Sequence, residues 1–246
     1  MDTLIETDAS LGALAAERPD RIRIFELLGL DYCCGGSQSL AAACEGRGLD
    51  SVTVRTLLEA IEGDDTSALT AEERDWRHAG IGELCEHIVA VHHERLRQEL
   101  PQIAEMLATV VRVHGPDRPE LEMIDRAFTE LRGELEPHLV EEEQFLFPAC
   151  RTVERRGPGA GLDLAEVDRH EAEHSEVGRR LSVLRELGGG YDEAEALCST
   201  HRALLASLQE FEADLHRHVH EENNVLFPRV RALASDAAMA SDGSGQ

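Results

Sequence analysis

The chain has 246 residues, of which 42% are hydrophobic and only 4% aromatic, and its formal net charge is −25. A chain of this length can bury a sizeable core, and the negative charge disfavours nucleic acid and anionic membranes as partners because like charges repel. No apolar run reaches the length of a membrane span and no secretory signal is visible, so we expect a cytoplasmic protein whose six cysteines form no structural disulfides.

The first part of the chain, residues 1–61, is predicted to be a small helical domain. Apolar positions, Pro19 and Gly29 predict short helices before residue 31, and further apolar positions predict another helix at 52–61. Between them, Asp31-Tyr-Cys-Cys-Gly-Gly36 is a turn by its glycines, and Ser37 can cap the helix that follows. So short a segment buries only a small core. We therefore expect it to dock on the rest of the chain or on a second copy, as in a homodimer.

The remainder is predicted to be a polar linker at 62–75, a helical bundle at 76–234 and a disordered tail at 235–246. Four long helices are expected at about 80–113, 119–150, 162–188 and 191–232, separated by turns rich in glycine and proline. Pro101 and Pro137 lie inside two of these helices and are expected to kink them. No regular alternation predicts β-strands, so we predict an all-α fold built as an antiparallel four-helix bundle.

One motif occurs twice in these helices. The first copy is His138-Leu-Val-Glu-Glu142-Glu-Gln-Phe-Leu-Phe-Pro148, and the second copy is His218-Val-His-Glu-Glu222-Asn-Asn-Val-Leu-Phe-Pro228. Residues i and i+4 share one face of a helix, so each copy presents an imidazole and a carboxylate to the same space. His93 and His174 are separated by nearly the same interval as the two copies. The pattern indicates a duplicated helical hairpin, with one inward histidine on its first helix and His-x-x-x-Glu on its second.

Inward side chains on the facing helices of a bundle converge. The set predicted to do so consists of His93, His138, Glu142, His174, His218 and Glu222. Six ligands are too many for one tetrahedral zinc and suit two metal ions, each with two imidazoles and both bridged by the carboxylates. Imidazole combined with carboxylate favours iron or manganese over calcium or magnesium. Such a site would keep coordination positions open for chemistry or for a small ligand.

Two further histidines compete for the site. Periodicity does not choose between His92 and His93, because the apolar residues of that helix fit either face. His170 shares the face of His174, and it could be an outer partner or an extra ligand.

The other polar residues near the motif are expected to be exposed. His216 and His220, for example, lie about 200° around the helix from His218. The residues predicted to be exposed or solvated are His78, His114, His216, His220, Glu141, Glu143 and Glu221.

The vicinal pair Cys33-Cys34 stands in the glycine-rich turn at the expected start of a helix, where amides and the helix dipole lower a thiol pKa. Two interpretations remain open: a thiol pair active in redox chemistry or metal transfer, or two small residues buried in a tight turn. The other cysteines are isolated in predicted helices and are expected in the core; they are Cys44, Cys85, Cys150 and Cys198.

Taken together, the Asp31-Tyr-Cys-Cys-Gly-Gly36 turn and the two copies of His-x-x-x-Glu before Leu-Phe-Pro resemble the Repair of Iron Centres family. These are hemerythrin-like di-iron proteins linked to repair of iron–sulfur clusters after nitrosative or oxidative damage. The resemblance runs from about Leu11 to Pro228. It implies an oxo- or hydroxo-bridged pair of non-haem irons on the six residues above, favours His93 over His92, and assigns Cys33 and Cys34 to the small N-terminal domain of the family.

The resemblance also implies damaged iron–sulfur proteins as partners, with nitric oxide or oxygen as small ligands. Two roles stay open: release of iron to damaged clusters, or reaction with nitric oxide at the metal centre. The alternative is a hemerythrin-like protein that binds or senses oxygen or nitric oxide, although a sensor would usually carry an output module. A ferroxidase-like enzyme ranks lower, because those bundles use Glu-x-x-His rather than His-x-x-x-Glu.

Overall fold

The computed structural model of the protein describes residues 5–62, 75–157 and 162–241, with side chains placed up to residue 235. Within these ranges all regular secondary structure is helical, and one isolated β-bridge joins Ser10 to Ser39. The all-α fold class predicted from the sequence is therefore confirmed. Most of the predicted linker, 63–74, lies outside the described residues, as do residues 242–246 of the predicted tail.

The N-terminal segment contains four short helices: α1 (Leu11–Glu17), α2 (Ile22–Leu28), α3 (Leu40–Arg47) and α4 (Ser51–Glu62). The side chain of Ser39 accepts a hydrogen bond from the Ala42 amide and so caps α3. The predicted cap at Ser37 is therefore wrong by two positions. Gly29 ends α2 in the left-handed conformation, with φ of 64°, where a side chain would cost energy.

Four long helices form the bundle, and three of them are interrupted by a π turn. The first bundle helix consists of α5 (Ile81–Ile88), a π turn (Val89–His93) and α6 (Glu94–His114). The second consists of α7 (Glu120–Glu141), a π turn (Glu142–Leu146) and α8 (Phe147–Arg156).

The third bundle helix is α9 (Leu164–Leu187), and the fourth consists of α10 (Ser199–His220), a π turn (Glu221–Leu226) and α11 (Phe227–Ser241). The fourth starts later than predicted, because two 3₁₀ turns occupy Gly189–Tyr191 and Glu193–Glu195. Its helix also continues to Ser241, so the tail predicted to be disordered from 235 is helical as far as that residue. The α-helix continues through Pro101 and Pro137, and the departures from α geometry occur at the π turns instead.

The bundle core has two apolar layers. One extends from Leu96 along α6 and includes Phe128 and Phe211; the other includes Ile88, Phe147 and Phe227. Each buried side chain of this size contributes about 1.5–3 kcal/mol to stability. The predicted ligands lie between the two layers, as His93 does between Ile88 and Leu96 along the first bundle helix. The apolar layers therefore position and enclose a polar centre.

A third apolar cluster joins the N-terminal segment to the bundle. Residues of all four short helices, including Leu11, Phe25, Leu40 and Leu58, pack together with Val219 of α10. The segment thus docks on the fourth bundle helix of its own chain. In the part of the chain that the structure describes, none of the helices has the length and apolar character needed to span a bilayer.

Candidate metal centre

The six predicted ligands meet at the centre of the bundle, where every one of the four bundle helices contributes at least one of them. All six side chains are buried, and the two glutamates have no exposed surface. Three of the four helices carry a π turn at or beside their ligands. Such turns insert an extra residue into an α-helix and are frequent at functional sites. Periodicity of 3.6 residues could not have revealed them.

The four imidazoles form two pairs. The Nε2 atoms of His93 and His218 lie 3.2 Å apart, and those of His138 and His174 lie 3.1 Å apart. Each pair thus joins two different helices, with both ring nitrogens directed at one point between them.

Both carboxylates connect the two pairs. Oε2 of Glu142 lies 3.4 Å from His93 Nε2, and its Oε1 lies 2.9 Å from His138 Nε2. Oε1 of Glu222 lies 3.2 Å from His218 Nε2, and its Oε2 lies 3.1 Å from His174 Nε2. Each glutamate therefore directs one oxygen to each imidazole pair, which is the arrangement of a carboxylate that bridges two ions.

Acceptors behind the imidazoles set their tautomers. His93 Nδ1 lies 2.7 Å from Glu143 Oε1, and His138 Nδ1 lies 2.9 Å from Glu173 Oε2. His174 Nδ1 lies 2.8 Å from Asn223 Oδ1. Because ionised carboxylate and amide oxygens only accept hydrogen bonds, we assign the proton to Nδ1, which leaves a lone pair on Nε2. Among the described residues, none accepts a hydrogen bond from His218 Nδ1.

These groups fit a pair of metal ions. Two Nε2 atoms that face each other at 3.1 Å, as in His138 and His174, need either a shared proton or a metal cation between them. Neither oxygen of Glu142 accepts a hydrogen bond from the described residues, although the side chain is fully buried. Leaving a buried carboxylate without such partners is costly unless it coordinates a metal. Imidazole and carboxylate donors are those that iron binds.

Metal binding would displace protons from part of this site. Although burial on its own would lower it, the pKa of His93, His138 and His174 is raised above its usual value by the neighbouring carboxylates, so these imidazoles would release a proton to a metal ion. Glu142 and His218 are already in the forms that bind one. Burial on its own would raise the pKa of the Glu142 carboxyl, but the imidazoles of His138, His174 and His93 hold that pKa well below its usual range. Burial lowers the pKa of His218. Glu142 is thus held as a carboxylate and His218 as a neutral imidazole, the forms in which these side chains bind metals.

Several polar residues are not where the sequence placed them. Glu143 is only 28% exposed, and its carboxylate accepts hydrogen bonds from the His93 ring and the Arg97 guanidinium. The prediction that it is a solvated charge is therefore wrong. Glu173, which bonds His138, was not identified from the sequence at all. His170 is buried with its ring 5.2 Å from that of His138; its Nδ1 bonds the Glu166 carbonyl oxygen, and it is not among the atoms that converge with Glu142 and Glu222.

Of the histidines expected to be exposed, only His78 is exposed. His114 and His216 are half-buried and His220 is buried. For His216 and His220 the reason is tertiary: Tyr32 of the N-terminal segment covers the outer face of α10, with its ring 6.4 Å from that of His216 and 5.4 Å from that of His220. Glu221 is likewise buried rather than solvated. Its Oε1 lies 3.3 Å from His87 Nε2.

The Cys33-Cys34 turn packs against the second copy of the motif. Asn224 donates hydrogen bonds to the backbone carbonyls of Tyr32 and Cys33, at 3.2 and 2.9 Å. Asn223 donates to the Cys33 carbonyl at 3.5 Å while its oxygen accepts from His174. The two asparagines thus connect a predicted metal ligand to the thiol turn. Neither asparagine was identified from the sequence. The available signal was that the first copy of the motif has Glu143 and Gln144 at the matching positions.

The two thiols differ in environment. Cys33 is buried and donates to Cys34 Sγ at 3.9 Å, while the half-buried Cys34 donates to the His174 carbonyl oxygen at 3.3 Å. The hydrogen bond from Cys33 lowers the pKa of Cys34, whereas that same contact and burial raise the pKa of Cys33 well above its usual value. The turn precedes α3 and does not form its first residues. It is held instead by Asp31, whose carboxylate accepts hydrogen bonds from the amides of both cysteines.

The remaining cysteines divide into two kinds. Cys44, Cys85 and Cys150 are buried as predicted, whereas Cys198 is half-buried and its sulfur caps α10 by accepting from the His201 amide. All six cysteines are free.

Comparison with known proteins agrees with this geometry. The hemerythrin HHE cation binding domain matches residues 86–230, which hold all six predicted ligands. A domain of unknown function, DUF542, matches residues 7–62, which hold the two vicinal cysteines.

Full-length relatives share both parts. The iron-sulfur cluster repair protein YtfE of Pectobacterium atrosepticum is 35% identical over 224 residues, covering 91% of this chain and 96% of the relative. The protein of that name from Dickeya chrysanthemi is also 35% identical, with the same coverage. That from Yersinia pseudotuberculosis is 36% identical over 222 residues, covering 90% and 96%. The chain therefore belongs to the Repair of Iron Centres family of hemerythrin-like proteins.

Proposed function

We propose that the chain repairs iron–sulfur clusters damaged by nitrosative or oxidative stress, using a di-iron centre in its bundle. One iron would be held by His93 and His218 and the other by His138 and His174, with Glu142 and Glu222 bridging them. The observation that carries this proposal is that each carboxylate directs one oxygen to each imidazole pair. The printed names of the relatives, which are iron-sulfur cluster repair proteins, support the biological role.

When bound, two ferrous ions supply exchangeable iron, reducing electrons and open positions for nitric oxide or oxygen. The protein holds the donors ready for them. Glu143, Glu173 and Asn223 keep three imidazoles oriented with their Nε2 lone pairs inward. The apolar layers on both sides exclude bulk water, and the two bridging carboxylates offset part of the positive charge.

We assign the thiol turn a role in redox chemistry or metal transfer between this centre and damaged iron–sulfur proteins. The support is proximity: the Cys34 thiol contacts the backbone of His174, and Asn223 bonds both the His174 ring and the Cys33 carbonyl. Free thiols belong to reducing compartments, which supports a cytoplasmic location. The centre could serve by releasing iron or by reacting with nitric oxide, and the experiments below separate these roles.

The first test is the metal content of the purified full-length protein. We expect about two tightly bound irons per chain to survive desalting, as the two imidazole pairs require. One zinc and no iron would contradict the proposal.

The second test is repair itself. A [4Fe–4S] dehydratase inactivated with nitric oxide should regain activity with the wild-type protein and with Glu141→Ala, but not with Glu142→Ala. Consumption of nitric oxide by the di-ferrous protein then separates the roles. Repeated turnover with a reductant indicates an enzyme, one equivalent per centre a carrier, and transfer of labelled iron to the client an iron donor.

A further inference from the structure

A second polar cluster lies beside the proposed di-iron centre and contains none of its six ligands. We call it the outer cluster, and it consists of His87 of α5, His92 of the first π turn, Glu221 of the last π turn, and Asp214 of α10. One ligand atom from each of His87, His92 and Glu221 lies within 4.8 Å of the other two. The neighbouring copy of the motif has no counterpart, because Glu141 at the matching position is exposed.

The donor atoms of the outer cluster face one another. Glu221 Oε1 lies 3.3 Å from His87 Nε2, and Glu221 Oε2 lies 3.6 Å from His92 Nε2. The two imidazole planes are nearly perpendicular, at 89°, with ring centroids 5.8 Å apart. One carboxylate oxygen is thus offered with each imidazole, and the three groups surround a common point.

Asp214 orients one of these ligands from behind. Its Oδ1 lies 3.1 Å from His92 Nδ1, which is the carboxylate–histidine contact that commonly supports a metal-binding imidazole. His92 and Glu221 are 3% and 7% exposed, yet among the described residues His92 Nε2 and Glu221 Oε2 have no hydrogen-bond partner. Buried polar atoms of this kind call for a ligand.

A cavity adjoins the outer cluster. It has a volume of about 30 Å³ and is lined by His92, Glu221, Asp214 and Arg217 on the bundle side and by Ala16 of α1 on the side of the N-terminal segment, whereas His87 approaches Glu221 from outside its lining. A water molecule needs roughly 10–15 Å³ of such space, so the cavity can hold water next to an ion bound by the cluster. The cavity lies at the junction of the two parts of the chain, next to the apolar layer that contains Ile88 and Phe227.

Two imidazoles and one carboxylate with open positions form the donor set typical of mononuclear ferrous sites. The ring of His92 also stacks on the ring of His218, with centroids 5.5 Å apart and planes 11° apart. An ion held here would therefore lie next to the di-iron centre without sharing a ligand with it.

We propose that His87, His92 and Glu221 bind one further divalent transition-metal ion of the ferrous class, with Asp214 as the positioning residue. Three protein residues hold this ion, whereas each ion of the pair would have four protein donors, two imidazoles and one oxygen from each bridging glutamate, so the outer ion exchanges more readily than the di-iron centre. The outer cluster is then a storage site for one exchangeable iron ion next to the di-iron centre.

Equilibrium dialysis of the metal-free full-length protein against ferrous iron under anaerobic conditions tests this. We expect three irons per chain in the wild type, falling to two after desalting. Glu221→Gln should bind only two. Glu141→Gln is the matched control, since Glu141 also precedes a bridging glutamate but its side chain is 48% exposed and pairs with Arg169; it should still bind three. Two irons in the dialysed wild type, or three in Glu221→Gln, would overturn the proposal.

Because Glu221 is buried, its substitution could disturb folding, and a measurement on the unaltered protein guards against this. Crystals of the wild type equilibrated with ferrous iron should show anomalous scattering at the iron edge between His87 and Glu221, apart from the peaks at the di-iron centre. Absence of that peak would also refute the site. Glu142→Ala, on a different bundle helix, should lose the pair and keep the outer peak, so the two metal proposals fail independently.

Discussion

The two copies of the motif carry the same proposed ligands in different surroundings. In both, the histidine and the glutamate four residues later are buried at the centre. The residue before each of these glutamates is itself a glutamate, but its environment differs between the copies. Glu141 is exposed beside Arg169, whereas Glu221 is buried beside His87. The contrast shows that the position along the helix determines which groups face the centre of the bundle, whereas the burial of the outer face depends on which part of the chain covers it.

One position outside the ligands performs the same task in both copies. Glu143 and Asn223, each five residues after the histidine, accept a hydrogen bond from an imidazole on a neighbouring helix. On a regular helix they would be turned about 140° away. The π turns that begin at or next to Glu142 and Glu222 change that register. Of these two residues, only Asn223 also contacts the Cys33-Cys34 turn, by donating a hydrogen bond to the Cys33 carbonyl oxygen.

The largest expected effect tests the equivalence of the copies. Glu142→Ala and Glu222→Ala should each empty both proposed metal positions, because each glutamate would bridge both ions, and the loss of affinity should exceed the roughly 10–100-fold typical of an outer partner. Iron per chain after desalting measures this. Glu141→Ala should keep two irons; if it emptied the site while Glu142→Ala spared it, the register would be wrong by one residue.

The next effect concerns the outer acceptors. Glu143→Ala and Asn223→Ala should each weaken iron binding by about 10–100-fold, because each frees the Nδ1 hydrogen of one ligand. Competition with a chelator gives the affinities, and Gln144→Ala, whose side chain is exposed, is the control.

Asn223→Ala alone should also speed alkylation of Cys33 and Cys34. Equal alkylation in both variants would refute the connection from His174 to the thiol turn.

A third substitution tests how closely the thiol turn fits the second copy. A Cβ at Gly36 would lie 2.2 Å from Asn224 Oδ1 and 2.7 Å from the Tyr32 carbonyl oxygen. Gly36→Ala should therefore lower the free energy of unfolding by about 1–3 kcal/mol, the usual cost of overpacking. Gly46→Ala meets no atom within 4 Å and should stabilise by about 0.5–1 kcal/mol. Urea denaturation that ranked the two variants in reverse would contradict this fit.

The smallest effect compares the residues seven positions after each histidine. Val225 is 4% exposed, and Phe145 is 67% exposed. Val225→Ala should cost about 1.6 kcal/mol or more, at about 0.8 kcal/mol per buried methylene, whereas Phe145→Ala should stay within about 0.5 kcal/mol. Thermal unfolding measures both. A larger loss at the bulkier phenylalanine would mean that its surface is covered in solution, for example by a second copy.

Much of the candidate centre was predictable because it depends on spacing along single helices. The i, i+4 relation placed His138 with Glu142 and His218 with Glu222, and the repeat added His93 and His174. The same reasoning failed for His220 and Glu221, which a helical wheel turns outward. It also missed Glu173, since nothing local distinguishes it from the many exposed glutamates of the chain.

The sequence by itself determined the helices, the family and five of the six side chains that converge, because helix periodicity and the repeated motif are local properties of the chain. The choice of His93 over His92 needed the family resemblance as well. Tertiary structure alone decided the rest. Docking of the N-terminal segment on α10 buried His220 and brought Asn223 and Asn224 to the thiol turn. Packing of the first bundle helix against the fourth brought His87 and His92 to Glu221. Contacts between residues more than a hundred positions apart depend on how whole faces fit together, and no spacing along one helix encodes them.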